Sequence, residues 1–340
     1  MNSVDSKPQT KILPSDSRFL YEGRFDFADA NSPVVIWQAS RISLDFDGDS
    51  LRLLFDQAKG KNFFNADVDG TSRIVEVDEG SPAVDANFEN LGNARHHLTL
   101  FKRTEASAGT VRFLGVEFAQ PAHVWRAKAP AYKLRMEFIG DSITAGACNE
   151  DGAVDQWENH KTHNNALSYG AFTAAAFEAD YRNIAVSGVG VVTGWSDIKA
   201  AQFWDRIYPS PSSRRADLSS WQPQVVFINF GENDDSFPRA HGQSFPEKFA
   251  DGYVALVRQI RSAYPATHIV LLRGGMWGGS QSQPLKKAWE SAVAQLEASD
   301  PAVSHFVFVH WSLTHPRVAD HRAMADELIG WLKQQKFMQL

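Results

Sequence analysis

The chain contains a single cysteine, Cys148, among 340 residues. That excludes an intrachain disulfide framework and any multi-cysteine zinc site. No stretch approaches the roughly 18 consecutive apolar residues of a membrane-spanning helix. The first twenty residues, polar and interrupted by Pro8 and Pro14, lack the apolar centre of a secretory signal. As it stands the chain is expected to be cytoplasmic, and secreted or periplasmic if a leader has been removed. Basic residues are too few for a nucleic-acid footprint, with 34 Lys and Arg against 40 Asp and Glu for a net charge of −6. Internal repeats and low-complexity tracts are also missing. What is plentiful is core-forming material, 43% hydrophobic and 12% aromatic residues, enough at this length for about two domains.

The hydrophobic pattern changes period along the chain. Residues 1–20 read as a loose arm. Residues 21–120 read as short strands. Ile42-Ser43-Leu44-Asp45-Phe46-Asp47 alternates apolar and polar side chains as a half-buried strand does. Segments 51–55, 63–68, 73–77, 97–101 and 111–118 are further strand candidates, punctuated by Asp47-Gly48, Asp69-Gly70 and Glu79-Gly80 turns. This predicts an all-β jelly-roll sandwich. Residues 121–133, with Pro121 and Pro130, read as an extended linker. Residues 134–340 alternate apolar strands (135–139, 183–186, 225–230, 268–272 and 306–309) with helical faces such as Phe249/Tyr253/Leu256/Ile260, Leu285/Trp289/Leu296 and Met324/Leu328/Leu332. That predicts an α/β/α domain on a five-stranded parallel sheet. In such domains chemistry gathers beyond the carboxyl ends of the strands.

Those ends carry Gly140-Asp141-Ser142, Ser187-Gly188, Gly231-Glu232-Asn233 and His315-Pro316. A serine needs an adjacent base to act as a nucleophile, a histidine serves as that base near neutral pH, and a tetrahedral oxyanion needs fixed donors. The N–H groups of Ser142 and Gly188 and the amide of Asn233 would supply three. Each residue also has a plainer reading: Asp141-Ser142 as a helix cap, Gly188 as a turn, Asn233 as a loop staple and His315 as a solvated helix start. The set, in order on successive strand ends, favours the chemistry.

The four blocks resemble those of the SGNH (GDSL-type) hydrolases. The stretches Glu137-Phe138-Ile139-Gly140-Asp141-Ser142-Ile143-Thr144, Asn165 to Tyr169 and Lys102-Arg103-Thr104-Glu105 ahead of Phe113-Leu114-Gly115 are similar to carbohydrate esterase family 2, in which a jelly roll precedes an SGNH domain. The resemblance spans roughly residues 20–335. It implies a sugar deacetylase acting on acetylated mono-, oligo- or polysaccharides, favouring the 6-position, with no metal or organic cofactor; charge and hydropathy have already set aside nucleic acid and membrane as partners. It also implies Ser142 as nucleophile, His315 as base, and Ser142, Gly188 and Asn233 as the oxyanion hole. Most SGNH enzymes place an aspartate three residues before the histidine, and here that position is Ser312. The expectation is therefore a Ser–His dyad whose histidine is held by a backbone carbonyl or by Ser312.

Several residues keep two readings. Glu232, Asp234 and Asp235 are a solvated loop, or one of them orients His315. Trp277, in a glycine-rich segment, is a sugar platform or a core tryptophan, and Trp195 and Trp311 are weaker platforms expected in the core. His160 and His163 have metal-ligand spacing, but the loop 148–164 reads better as a wall of the pocket. Asp320 stands where the relatives commonly have glycine, with no evident reason in the sequence. Two other functions stay open: a lipid esterase or thioesterase on the same fold, and a non-catalytic carbohydrate-binding protein.

Overall fold

The computed structural model describes residues 10–339, which divide into two compact units. The first comprises residues up to Thr104 together with Ala108–Pro130. Its strands are β1 (Thr10–Ile12), β2 (Leu20–Glu22), β3 (Phe25–Asp26), β4 (Val34–Val35), β5 (Arg41–Asp47), β6 (Leu51–Val68), β7 (Thr71–Asp78), β8 (Asn87–Phe88), β9 (Arg95–Lys102), β10 (Gly109–Phe118) and β11 (Val124–Trp125). All pair antiparallel in a curled sheet. The two strand candidates 51–55 and 63–68 are one 18-residue strand, β6. Its first half pairs with β10 and its second half with β7 and β9. The sheet thereby folds over on itself around Phe46, Phe64, Phe113 and Phe118.

Three local expectations change. Residues 10–20 are not a loose arm, since β1 pairs with β10; positions 1–9 lie outside the described residues. The segment expected as a linker contributes β11, which pairs with β5. The polar face of β5 is itself buried, because Arg95 and His97 cover Asp45 through contacts of 2.7 and 2.6 Å.

The second unit, Glu105–Ser107 with Ala131–Leu340, contains β12 (Leu134–Gly140), α1 (Ser142–Ala145), α2 (Tyr169–Ala176), β13 (Ala179–Ala185), α3 (Ala200–Phe203), β14 (Val225–Asn229), α4 (Glu232–Ala240), α5 (Phe249–Ala263), β15 (His268–Met276), α6 (Trp277–Gln281), α7 (Gln283–Ser299), β16 (Val303–Ser312) and α8 (Val318–Leu332). The five strands run parallel in the order β13-β12-β14-β15-β16. Strands β12, β14 and β15 are almost wholly buried, as a sheet covered on both faces requires. α2 packs with α8 and α5 with α7. The chain steps outward from β12 in both directions, so the switch point that receives ligands in such sheets lies at the ends of β12, β13 and β14. None of the described helices is long and apolar enough to cross a membrane.

Candidate active site

The serine turn is fixed by its neighbours. β12 ends at Gly140, where an added Cβ would lie 2.1 Å from Thr144 Oγ1, so only glycine permits the strand to turn here. Asp141 caps α1 by accepting the Ile143 N–H at 3.0 Å. The carbonyls of this four-residue helix are collected by amides: Asn165 Nδ2 donates to Thr144 O and Ala145 O at 3.3 and 2.9 Å, and Asn183 Nδ2 to Thr144 O at 3.0 Å. Ser142 is thus held at the start of α1, only 4% exposed. Its Oγ lies 3.0 Å from His315 Nε2, across 173 residues of sequence.

The other imidazole nitrogen meets a carboxylate. His315 Nδ1 is 2.8 Å from Asp155 Oδ2, so the proton belongs on Nδ1 and Nε2 is left to accept the Ser142 hydroxyl proton. This corrects the dyad expectation. Neither Ser312 nor a backbone carbonyl takes that position; Ser312 Oγ is instead 3.4 Å from Thr314 Oγ1. Burial opposes ionisation of Asp155, but hydrogen bonds from His315 and Arg317 outweigh it and hold the carboxyl well below the usual carboxylate range. Arg317 Nη1 lies 2.7 Å from Asp155 Oδ1 and donates to the carbonyls of Cys148 and His315, each at 2.9 Å, while its Nε donates to Gly152 O at 2.8 Å. The ring of Trp157, two residues on, lies 5.2 Å from the His315 ring. No spacing rule reaches Asp155, which sits in an irregular loop 160 residues from the histidine; the crowding of polar residues directly after Ser142 is the signal the sequence offers.

The acids beside Asn233 have other work. Glu232, Asp234 and Asp235 are buried rather than solvated, and none of them meets His315. Glu232 accepts the N–H groups of Gly278 and Gly279 at 3.1 and 2.7 Å. Asp234 accepts those of Val191, Val192 and Thr193 at 2.8, 2.8 and 3.0 Å. Asp235 pairs with Arg239 at 3.1 Å and accepts the Ser282 hydroxyl proton at 2.5 Å. Asp234 nails down the loop that follows Gly188, and burial pushes its carboxyl up to about 6 despite the three N–H donors.

Gly188 has φ +75°, with the Trp195 Cβ 3.2 Å from where its own Cβ would stand; a side chain would be strained on both counts. The buried Asn233 amide donates to Val189 O at 3.0 Å and to Asp141 Oδ2 at 3.2 Å. Burial drives the Asp141 carboxyl well above its ordinary range, in keeping with a structural part. Ser142, Gly188, Asn233 and His315 all line one cavity of about 540 Å³, together with Trp157, Trp195, Met276 and four polar residues.

The aromatic expectations are partly reversed. Trp277 does not line this cavity. It lies under the Arg239 guanidinium, 4.3 Å from its ring centre, in a separate recess of about 620 Å³. Trp195, expected in the core, is 56% exposed at the cavity wall, and Trp157, which the sequence did not single out, is 39% exposed there. Trp311 lies in β16, half-buried and away from it. The His160/His163 pair is in no cluster of three metal-capable groups among the described residues; His163 Nε2 faces Cys148 Sγ at 3.4 Å. Among the described residues, the metal-capable cluster is Cys148, Asp155 and His315, two of which are already bonded to each other. Asp320 acquires a reason. It accepts the Arg317 N–H at 2.8 Å at the start of α8 and meets His310 Nε2 at 2.7 Å, so it anchors the backbone of the arginine that grips Asp155.

Comparison with known proteins agrees with this architecture. Residues 21–127 match the carbohydrate esterase 2 N-terminal family and residues 138–330 the GDSL-like lipase/acylhydrolase family. The chain is 33% identical over 326 residues to the cellulase/esterase CelE of Acetivibrio thermocellus, a match covering 92% of this chain and 39% of that protein. It therefore spans well under half the length of that relative. It is 30% identical over 359 residues to an acetylxylan esterase / glucomannan deacetylase of Cellvibrio japonicus, covering 98% and 95% of the two chains. A solved family two carbohydrate esterase from Clostridium thermocellum, in complex with cellohexaose, superposes with a TM-score of 0.82 at 33% identity, covering 93% of this chain and 98% of that one.

Proposed function

This chain belongs to the GDSL-like lipase/acylhydrolase family with the N-terminal domain of carbohydrate esterase 2, and from that premise we propose that it is a carbohydrate O-deacetylase working through Ser142, His315 and Asp155. The observation that carries the reading is the hydrogen-bonded line Asp155–His315–Ser142, at 2.8 and 3.0 Å, opening into the cavity of about 540 Å³.

Ser142 Oγ attacks the acetyl carbonyl while His315 Nε2 takes its proton, and Asp155 holds the imidazolium that forms. The oxyanion rests on the N–H groups of Ser142 and Gly188. Asn233 keeps the Val189 carbonyl and shares with the oxyanion the N–H it otherwise directs at Asp141. His315 then protonates the departing sugar oxygen. Water, deprotonated by the same imidazole, cleaves the acetyl-enzyme and releases acetate.

The cavity's size and lining favour a sugar with a small acyl group over a long acyl chain, which needs an extended apolar groove. The exposed indoles of Trp157 and Trp195 offer flat faces of the kind pyranose rings stack on. A primary 6-O-acetyl group projects one carbon beyond the ring, which suits a nucleophile as recessed as Ser142. The named activities of the relatives, acetylxylan esterase and glucomannan deacetylase, support acetylated hemicellulose fragments as the substrate class.

The test is hydrolysis of a chromogenic ester series from acetyl to octanoyl by wild type and Ser142→Ala. The expected result is acetyl-selective turnover that falls by on the order of 10⁴-fold or more in the variant, with an unchanged melting temperature. Preference for octanoyl would turn the assignment to a lipid esterase. No turnover with any ester would turn it to a sugar-binding protein.

A further inference from the structure

Three residues of the long β9–β10 connection belong to the second unit. The chain leaves the first unit after Thr104, contributes Glu105–Ser107 to the second, and re-enters the first at Ala108. Glu105 is only 5% exposed. Its Oε2 accepts two hydrogen bonds from one residue, the Ser187 N–H at 2.8 Å and the Ser187 hydroxyl at 2.8 Å. Ser187 is itself buried and lines the catalytic cavity, directly before Gly188.

That placement matters because the Ser187 carbonyl and the Gly188 N–H share one peptide plane. Glu105 holds the residue that begins this plane, through the N–H of the preceding peptide and the Ser187 hydroxyl. From the downstream side, Gly188 O accepts the Ser196 N–H at 3.0 Å and Val189 N donates to Val186 O at 3.4 Å. At φ +75° the Gly188 backbone has no side chain of its own to steady it. A donor stabilises a developing oxyanion only where its direction is fixed before the reaction, because turning it during the reaction costs the reorganisation that preorganisation avoids. A carboxylate holding both donors of Ser187 is stiffer than a single neutral bond, since charge-assisted bonds are the stronger kind.

We propose that Glu105 is a positioning residue for acyl transfer, clamping Ser187 so that the Gly188 N–H faces the oxyanion. This rests on the reading of Gly188 as an oxyanion donor. It adds that a segment outside the four strand-end blocks, and more than 80 positions upstream of Gly188 in the chain, sets the direction of that donor.

The experiment measures kcat and KM for 4-nitrophenyl acetate with Glu105→Ala, Glu105→Asp and Glu105→Gln, each checked by thermal melting. A misplacement of about 1 Å costs on the order of 10²-fold in rate, so Glu105→Ala is expected to lower kcat by about that factor with KM within about twofold. Glu105→Asp, which keeps the charge but draws the carboxylate back by one methylene, is expected to lose about tenfold or more on the same argument. Glu105→Gln should recover part of the loss, because its side-chain oxygen still accepts from Ser187 but without the charge. A parallel assay follows phosphonylation of Ser142 by a 4-nitrophenyl phosphonate, whose transition state also places negative charge on the bound oxygen; it should slow in step with kcat. Wild-type kcat in Glu105→Asp overturns the proposal even if Glu105→Ala does not fold, and so does a loss confined to KM. Ser142→Ala is assayed alongside. If that variant keeps its activity the esterase reading itself has failed, whatever Glu105 does.

Discussion

Ser142, Gly188 and Asn233 stand beyond the ends of three adjacent strands, β12, β13 and β14, each steadied by a turn or helix start that leads directly out of the sheet. Asp155 and Trp157 stand instead on a loop whose regular structure amounts to one 3₁₀ turn, His160–Thr162. The loop is closed at its base by Glu150 N–H to Thr162 O at 3.0 Å and by Asn149 bonding both the Asn164 carbonyl and N–H, at 2.8 and 2.9 Å. Farther out it is held by side chains, chiefly Arg317 on Cys148 O, Gly152 O and Asp155, with Asp151 accepting the Gln156 N–H at 2.6 Å. The strand-end groups therefore inherit their geometry from a ladder of backbone bonds. The loop groups inherit theirs from a few side-chain clamps. Damage to the loop clamps should therefore show in catalysis, with little change in stability.

The sharpest separation sets Asp155 against Asp234. Asp155→Asn puts an amide where His315 Nδ1 needs an acceptor and favours the wrong tautomer. By analogy with triads that depend on their acid, kcat should fall by on the order of 10³ to 10⁴-fold, with the melting temperature nearly unchanged. A variant within about tenfold of wild type would return the site to a dyad. Asp234→Ala should do the reverse. It strands the buried Val191 N–H and the half-buried N–H groups of Val192 and Thr193, and an orphaned buried donor costs about 1–3 kcal/mol, so about 3 kcal/mol of stability should go. Below the melting range kcat should stay within about tenfold, because Asp234 bonds residues 191–193 rather than Ser187 or Gly188 and so leaves the oxyanion donor held. Denaturant unfolding beside steady-state kinetics measures both.

A second contrast lies between two histidines. His315 faces the cavity, whereas His321, on α8, is fully buried, and its Nδ1 accepts the Tyr169 N–H at 3.2 Å. Burial lowers its pKa to about 3. A base whose folded pKa is depressed stabilises the fold above its unfolded pKa, near 6.5, and that stability drains away as the pH falls toward the folded value. Between pH 7 and pH 5 the wild type should therefore lose about 2 kcal/mol that His321→Gln does not lose. Urea melts at the two pH values give the difference. Equal slopes would mean that His321 is protonated in the folded state.

Both regions bear on what the residues alone disclose. The period change near residue 134 marks the parallel sheet because buried strands are short apolar runs, and runs are local. The four strand-end blocks are legible for the same reason: a sheet puts the ends of its strands together whatever lies between them. Asp155 needs two distant segments in register, and nothing local in Gly152-Ala153-Val154-Asp155 announces it. Trp195 was expected inside because tryptophans usually are; its exposure follows from the Gly188–Thr193 loop, which Asp234 holds. The polar run Glu232-Asn233-Asp234-Asp235 resembles a solvated loop on composition, but its three acids are buried because each satisfies N–H or hydroxyl groups of the 191–193 loop or of the starts of α6 and α7.

Arg317 joins the two regions and gives the mildest test. Its backbone N–H is anchored at the start of α8 by Asp320, while its guanidinium grips Cys148 O, Gly152 O, His315 O and the Asp155 carboxylate. Arg317→Met removes the clamp but leaves Asp155 and the closed base of the loop in place. The carboxylate then samples several positions against Nδ1, and kcat should fall by about tenfold, well short of the loss when a triad acid is replaced outright. KM should move little, because Arg317 does not line the cavity. Arg317→Lys should recover only part of the rate, since an ammonium reaches the carboxylate but lacks the planar fork that binds three carbonyls with it. An unchanged kcat in Arg317→Met would mean that Asn149, Glu150 and Asp151 alone hold the loop in register, and the loop would then be as self-supporting as the strand ends it faces.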